Sequence, residues 1–273
     1  MTKKRSGNAF SLLIVLAVAL GHGTASAYQV LSPGSSYAGK SIAAWNAAWW
    51  TWAWNSPAVA DPLGDTSGAL ANQNNNGPVF FLAGSNSNGQ VERTFNMTSD
   101  KALLMPTINF WENCVGDVAT SCGSSYLPDP KPVMTANSVA LQNSVTSLVA
   151  SIDGTPIDDL FSRWEVSDFF SGGTAQAGGA LTALYAGGGI DIVGQDIAPS
   201  LTYGYYALIT NLSPGLHTLV YGGSTSAFGG FDYLVTAHIN VSAVPVPSSV
   251  VLMATSMGLI SAVGSCLRKR RTD

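Results

Sequence analysis

Charge is the scarcest property of this 273-residue chain. Charged residues make up 10% of the sequence, against about 25% in an average soluble domain. Coiled coils, long helical arrays and charge-rich disordered proteins need many more charges, so the composition excludes these classes. A formal net charge of −4 also excludes the basic surface with which proteins displace counterions from nucleic acid. We therefore expect no nucleic-acid partner.

The first 27 residues have the three parts of a secretory signal peptide. A basic start at residues 3–5 precedes an uninterrupted apolar run at residues 10–20. The small residues at 25–27 then provide a cleavage site, and we expect signal peptidase to cut between Ala27 and Tyr28. An uncleaved anchor is the less favoured alternative, because the run is short for a hydrocarbon core of about 30 Å. The secretion machinery is thus the first expected partner.

A second apolar segment lies near the C-terminus. Residues 250–267 carry no charge and are followed at once by Arg268, Lys269, Arg270 and Arg271. An apolar stretch of this length can just span a bilayer. The basic cluster should remain on the cytoplasmic side. The sequence therefore predicts a C-terminal transmembrane helix that holds the exported body outside; a buried core helix is less favoured, because four cations would then lie against the core.

A proline motif precedes this segment, made of Val244, Pro245, Val246 and Pro247. With the apolar helix and the basic end, residues 244–273 resemble the PEP-CTERM sorting signal of Gram-negative bacteria. Val246 stands where the V-P-E-P motif of that class has Glu. The resemblance implies processing near the proline motif by an exosortase-like enzyme, followed by display on the cell surface or release into the extracellular matrix. It also implies an association with exopolysaccharide or biofilm.

Three parts follow: a signal peptide at 1–27, an exported β-rich domain at 28–243 and the sorting signal at 244–273. Residues 28–247 hold five cations and 15 acids, a net charge of −10. Such a body stays soluble outside the cell and repels polyanions. Cys114 and Cys122, with seven residues between them in a Gly/Ser-rich segment, are expected to form a disulfide after export. Closing this short loop would stabilise the fold by about 2–3 kcal/mol.

The body predicts a mainly β fold. Residues 78–84 and 90–97 read as two strands joined by a hairpin loop, and residues 101–110 as a third strand. The last third, at 202–211, 216–223 and 231–241, predicts three antiparallel strands with a Pro-Gly turn after the first. Many short strands with Gly/Pro turns are typical of an antiparallel β-sandwich.

One or two helices accompany these strands. Residues 41–57 predict the first, with Ser41 as its N-cap and Pro57 at its end. Residues 135–149 predict a helix that continues into a strand, and Asp153 and Gly154 a turn. The Gly-rich stretch at 171–199 is expected to be an irregular loop.

The body also resembles an uncharacterised family of secreted bacterial proteins. The shared motifs are W-W-x-W-A at 49–53, D-P-L-x-D-T-x-G at 61–68, G-P-V-F-F-L-A-G at 77–84, K-A-L-L-M-P-x-I-N at 101–109, I-D-G at 152–154 and L-x-P-G-x-H-T-L at 212–219. They are spread over most of the body. The resemblance implies secretion and no particular activity.

The tryptophans of the first helix are the candidate ligand platform, and they lie on both of its faces: Trp45, Trp49, Trp50, Trp52 and Trp54. A helix that is apolar all round is usually buried, which favours a core helix against a sheet. An exposed platform that stacks on sugar rings is the alternative, and it suits a polysaccharide partner. Both interpretations remain open at this stage.

No motif predicts catalysis. Residues 34–41 fit the P-loop pattern G-x-x-x-x-G-K-S/T, but no buried strand precedes them as a P-loop requires. The paired acids at 158–159, 165–168 and 191–196 lack calcium-loop spacing and read as a solvated face. His217 lies in a strand, where an outward polar side chain is ordinary. Two cysteines remote from any histidine make a poor metal site. We expect no catalytic, cofactor-binding or metal-binding residues.

The sequence thus favours a non-catalytic exported protein. It would be tethered to the inner membrane before processing and then displayed on the cell surface or released. One alternative is a carbohydrate-binding module that uses the Trp-rich segment. A second is an extracellular polysaccharide hydrolase, which would need two converging carboxylates.

Overall fold

The computed structural model describes residues 28–115 and 129–244, and this part of the chain is mainly β. Twelve strands and three α-helices follow one another in these bounds: β1 (Gln29–Val30), β2 (Ser36–Tyr37), β3 (Lys40–Ser41), α1 (Ile42–Trp54), β4 (Val79–Phe81), β5 (Gly89–Thr98), β6 (Ala102–Asn113), α2 (Lys131–Ser144), β7 (Val145–Ile152), β8 (Thr155–Pro156), β9 (Trp164–Val166), α3 (Ala180–Gly187), β10 (Ser200–Thr210), β11 (Gly215–Thr225) and β12 (Phe231–Ser242). The predicted fold class is confirmed at this level.

Ten of these strands form two five-stranded sheets. In the first sheet the order is β1-β10-β6-β4, and β9 also pairs with β10. In the second sheet the order is β5-β12-β11-β7-β8. Most pairs are antiparallel, but β4 runs parallel to β6 and β5 runs parallel to β12. The expectation of purely antiparallel sheets is therefore wrong, because two strands join their sheets beside partners that are distant in sequence.

The two sheets share one hydrophobic cluster. Leu103 and Tyr203 contribute from the first sheet, and Tyr221, Val235 and Ile239 from the second; each is at most 1% exposed. Burying both inner faces together removes the largest apolar surfaces of the chain from water. The facing sheets are consistent with the predicted sandwich.

Helix α1 covers the outer face of the first sheet. The side chain of Ser41 accepts a hydrogen bond from the backbone N–H of Ala44 (3.1 Å) and caps the helix as predicted. Four of its tryptophans are buried, and the indole N–H groups of three donate to backbone carbonyls: Trp45 to Tyr37, Trp49 to Leu82 and Trp52 to Gln73. Buried indoles usually have a partner for the N–H, and these bonds join the helix to β2, to the end of β4 and to the segment between α1 and β4.

Two predicted strand connections are wrong. The segment between β4 and β5 is no hairpin loop, because β4 belongs to the first sheet and β5 to the second. Likewise β10 lies in the first sheet while β11 and β12 pair in the second, so the Pro-Gly turn passes between sheets. Every residue of β10 is buried, and a strand buried on both faces gives no alternation that would assign it to one sheet.

Two predictions that depend only on neighbouring residues are confirmed. Helix α2 continues directly into β7, as expected. Asp153 and Gly154 adopt φ angles of 51° and 77° in the turn between β7 and β8, as this turn type requires. The stretch at 171–199 contains α3, however, so the expected irregular loop is wrong there and the described chain has three α-helices rather than one or two.

Several predictions fall outside the described residues. These are the signal peptide at 1–27, Cys122 and therefore the disulfide, and the sorting signal from Pro245 onward with its apolar helix and basic end. Within the described residues, no helix is both long and apolar enough to cross a membrane.

Candidate functional site

A cavity of about 760 Å³ surrounds the C-terminal end of β6. Strand β4 pairs only with residues Ala102, Leu103 and Leu104 of β6. Beyond Leu104, no strand in the described part of the chain covers that side of β6. The walls around this open edge are formed by helices α1, α2 and α3, the segment after β4 and the β11–β12 connection. The cavity therefore exists because β4 is short.

Aromatic rings dominate the lining. Ten of the described lining residues are aromatic: Trp49, Trp50, Trp54, Phe110, Trp111, Tyr185, Tyr203, Phe228, Phe231 and Tyr233. Four more are asparagines: Asn86, Asn109, Asn113 and Asn137. Glu112 is the single charged side chain among the lining residues that the structure describes. The site is thus an apolar, amide-bearing cavity with almost no charge.

Three indoles form a cluster in the wall. Trp50 and Trp54 lie one turn apart on α1, and Trp111 projects from β6 toward them. The ring centroids of Trp50 lie 5.6 Å from those of Trp54 and 6.1 Å from those of Trp111, with interplanar angles of 16° and 20°. Within the described chain, the indole N–H groups of Trp54 and Trp111 have no hydrogen-bond partner. Buried indoles normally have one, so these two N–H groups are unsatisfied, and both nitrogen atoms are shielded from solvent.

Glu112 is held by a tyrosine. The hydroxyl of Tyr203 donates to Glu112 Oε1 at 2.6 Å. Burial raises the pKa of Glu112, while the hydrogen bonds from Tyr203 and Asn137 act in the opposite direction. Burial also raises the pKa of Tyr203, and its bond to Glu112 adds to the shift. The pair therefore keeps its proton on the tyrosine and makes the carboxyl easier to protonate than an exposed one.

Two contacts fix the walls around the cavity. The hydroxyl of Tyr185 on α3 donates to Asn113 Oδ1 on β6 at 3.0 Å. On the opposite side the buried guanidinium of Arg93 donates to the carbonyls of Ala83 and Gly84, at the start of the wall that follows β4. These bonds hold the walls in place before any ligand arrives.

The tryptophans of the first helix are mostly buried, as the favoured interpretation of a core helix predicted. Trp45, Trp49 and Trp52 are core residues, and Trp50 is buried as well. The helix therefore presents no exposed platform. Trp50 and Trp54 instead line the cavity together with Trp111, which sequence reasoning did not select. Trp111 directly follows the predicted third strand, but only the folded chain shows that it meets α1.

The acidic pairs are mostly solvated, as expected. Asp158, Asp159, Asp168, Asp191 and Asp196 are exposed, and no cluster of three or more potential metal ligands occurs among the described residues. Glu165 is the exception, because it is buried. Its Oε1 accepts the backbone N–H of Gly34 at 2.8 Å, and burial raises its pKa. Residues 34–41, which matched the P-loop pattern, form the β2–β3 hairpin and the helix cap.

His217 is buried rather than outward. Its Nδ1 lies 2.7 Å from Asp153 Oδ2. Its Nε2 lies 2.8 Å from the carbonyl oxygen of Ser213 and 3.4 Å from Ser213 Oγ. This is the residue set of a catalytic triad, but the carbonyl is the nearer neighbour and can only accept. Ser213 Oγ at 3.4 Å also lies beyond the distance of about 2.6–3.2 Å at which a nucleophile meets its base, so the three residues do not have the geometry of a catalytic triad. These contacts of His217 join the turn before β11 to the β7–β8 turn.

Comparison with known proteins gives little guidance. No family model and no curated protein matches the chain. A chain of the solved complex of PbICP-C with falcipain-2 is similar to 61% of this chain over its own full length, with 12% sequence identity and a TM-score of 0.23. A likeness that weak carries no argument about fold or function.

Proposed function

We propose that this chain is an exported, non-catalytic binding protein that holds a neutral carbohydrate in the cavity at the end of β6. The observation that carries the proposal is the lining: aromatic rings and amides with one carboxyl among the described residues. We propose that the facing sheets serve as a β-sandwich scaffold for this site.

The lining can bind both the apolar ring faces and the hydroxyl groups of a sugar. The C–H face of a pyranose ring is apolar and packs on aromatic rings such as those of Trp54 and Trp111. Sugar hydroxyls both donate and accept, so they can pair with the asparagine amides of the lining. The cavity volume of about 760 Å³ also lies within the range of small-molecule sites. A short oligosaccharide is therefore a suitable occupant.

The lining favours binding over hydrolysis. Glycosidases need two carboxyl groups that flank the scissile bond. Among the described lining residues, Glu112 has no second carboxyl beside it. The same scarcity of charge disfavours anionic sugars, because no described cation lines the cavity to pair with them.

We further propose that the protein works outside the cytoplasm. The signal-peptide features at 1–27 and the resemblance of residues 244–273 to a PEP-CTERM signal support export, tethering and then processing by an exosortase-like enzyme. Mass spectrometry of the native protein combined with cell fractionation tests this. We expect a mature N-terminus at Tyr28, a Cys114–Cys122 disulfide and a surface or extracellular location. Intact, reduced protein in the cytoplasm would contradict the proposal.

The binding proposal is tested by titrating the purified protein with tetrasaccharides. The panel contains the neutral cellotetraose, xylotetraose and chitotetraose and the anionic tetragalacturonate, with tryptophan fluorescence and calorimetry as readouts. We expect at least one neutral sugar to bind and the anionic one not to bind. Trp54→Ala should weaken binding, whereas Phe161→Ala, an exposed aromatic residue outside the cavity lining, should not. Failure of every neutral member to bind, or preference for the anionic one, would refute the proposal.

A further inference from the structure

Phe228 lies at the rim of the cavity and is unusual in both its exposure and its backbone conformation. It lies in the connection between β11 and β12, lines the cavity, and leaves 79% of its surface exposed. Its backbone has φ 57° and ψ 29°, the left-handed conformation. Bulky residues rarely adopt this conformation, since their Cβ crowds the carbonyl oxygen.

The surrounding hydrogen bonds impose this conformation. The backbone N–H of Ser226 donates to the carbonyl of Ser144 at the end of α2 (2.9 Å). The N–H of Ala227 donates to Thr225 Oγ1 (3.1 Å), and the N–H of Gly230 donates back to the carbonyl of Ala227 (3.0 Å). The chain on both sides of Phe228 is therefore anchored, and the strained residue between the anchors has little freedom to relax.

Packing in the fold does not explain the choice of phenylalanine. The ring of Phe228 contacts Phe110, with centroids 6.2 Å apart, but most of its surface stays in water. Asparagine or glycine would adopt the left-handed conformation with less strain, as the neighbouring Gly229 does at φ 82°. A strained residue that gains little from burial is most often kept for function.

We propose that Phe228 is a specificity-determining residue whose ring packs on the apolar face of the carbohydrate at the cavity mouth. This inference rests on the proposed function. Bound sugar would cover the part of the ring that the fold leaves exposed. Phe228 would thereby add an aromatic contact on the open side of the site.

Phe228→Asn tests the inference, because asparagine tolerates the left-handed backbone and removes the ring. We expect the variant to melt at the same temperature as the wild type or higher. We expect its affinity for the neutral tetrasaccharide that the wild type binds to fall by about fivefold or more, the size of an ordinary contact at a binding site. Phe228→Tyr should retain most of the affinity. Phe161→Asn, at another exposed phenylalanine, is the matched control and should bind like the wild type.

The outcomes separate this inference from the function on which it rests. Wild-type affinity in Phe228→Asn would overturn the role of Phe228 and leave the cavity proposal standing. A lower melting temperature in that variant would also overturn it, since the ring would then serve the fold. Absence of binding by the wild type to all three neutral sugars would overturn both.

Discussion

Replacing Arg93 by methionine should destabilise the fold strongly while leaving it formed. Arg93 is 3% exposed. Its guanidinium donates to three backbone carbonyls: those of Asp65 (2.6 Å), Gly84 (2.9 Å) and Ala83. It thereby joins the segment after α1 and the cavity wall after β4 to strand β5. Methionine preserves the apolar stem and removes every donor.

The magnitude follows from these three acceptors. A buried carbonyl that loses its partner costs about 1–3 kcal/mol. The carbonyl of Ala83 keeps a second donor, the hydroxyl of Tyr221 at 2.8 Å, so its loss should be the smallest. We therefore expect Arg93→Met to lower the free energy of unfolding by about 3–5 kcal/mol. Domains of this kind have about 5–15 kcal/mol in total, so the variant should still fold in buffer.

Urea unfolding followed by tryptophan fluorescence measures this loss. Arg93→Lys should recover only part of it, because one ammonium group cannot reach three carbonyls in the planar geometry of a guanidinium. Lys131→Met, at an exposed cation, is the control and should change stability by about 0.5 kcal/mol or less. A loss below about 1 kcal/mol in Arg93→Met, with an unchanged slope against urea, would refute the reasoning.

Three further predictions follow from single contacts. Burial raises the pKa of Glu112 above its ordinary value of 4.5, so the wild-type fold loses stability as the pH rises from that value through the raised pKa. The melting temperature of Glu112→Gln should therefore increase relative to the wild type as the pH is raised above 4.5, until it levels off; a difference that never changes with pH would contradict this. A Cβ at Gly222 would lie 2.1 Å from the carbonyl oxygen of Tyr233, so Gly222→Ala should yield no folded protein by circular dichroism. Asp153→Ala should cost about 2–3 kcal/mol in urea unfolding, because it removes the partner of buried His217.

Elements with local determinants could be predicted from the sequence. The first helix has its N-cap at Ser41 and a proline beyond its end, and the turn at Asp153 and Gly154 needs only those two residues. Sheet membership could not be predicted in this way. Strand β5 pairs with β12, more than a hundred residues further along the chain, and β10 is buried on both faces. Nothing in the local pattern of either strand specifies its partner.

The candidate site shows the same limit. The cavity depends on where β4 ends and on the contact of Trp111 with α1. Both depend on contacts between residues that are distant in sequence. The burial of His217 could have been predicted from the sequence. It alternates in phase with Leu219 and Tyr221, so strand periodicity places all three on the buried face. The polarity of histidine alone suggested an outward side chain. A buried histidine needs a polar partner, and this partner, Asp153, lies in the β7–β8 turn.

A crystal structure of the protein soaked with a neutral tetrasaccharide that it binds tests the central claim most directly. The account predicts sugar density in the cavity at the end of β6, with a ring against Trp54 or Trp111 and another contact at Phe228. Sugar bound only elsewhere, for example on the outer face of a sheet, with the cavity unoccupied at saturating ligand, would contradict it.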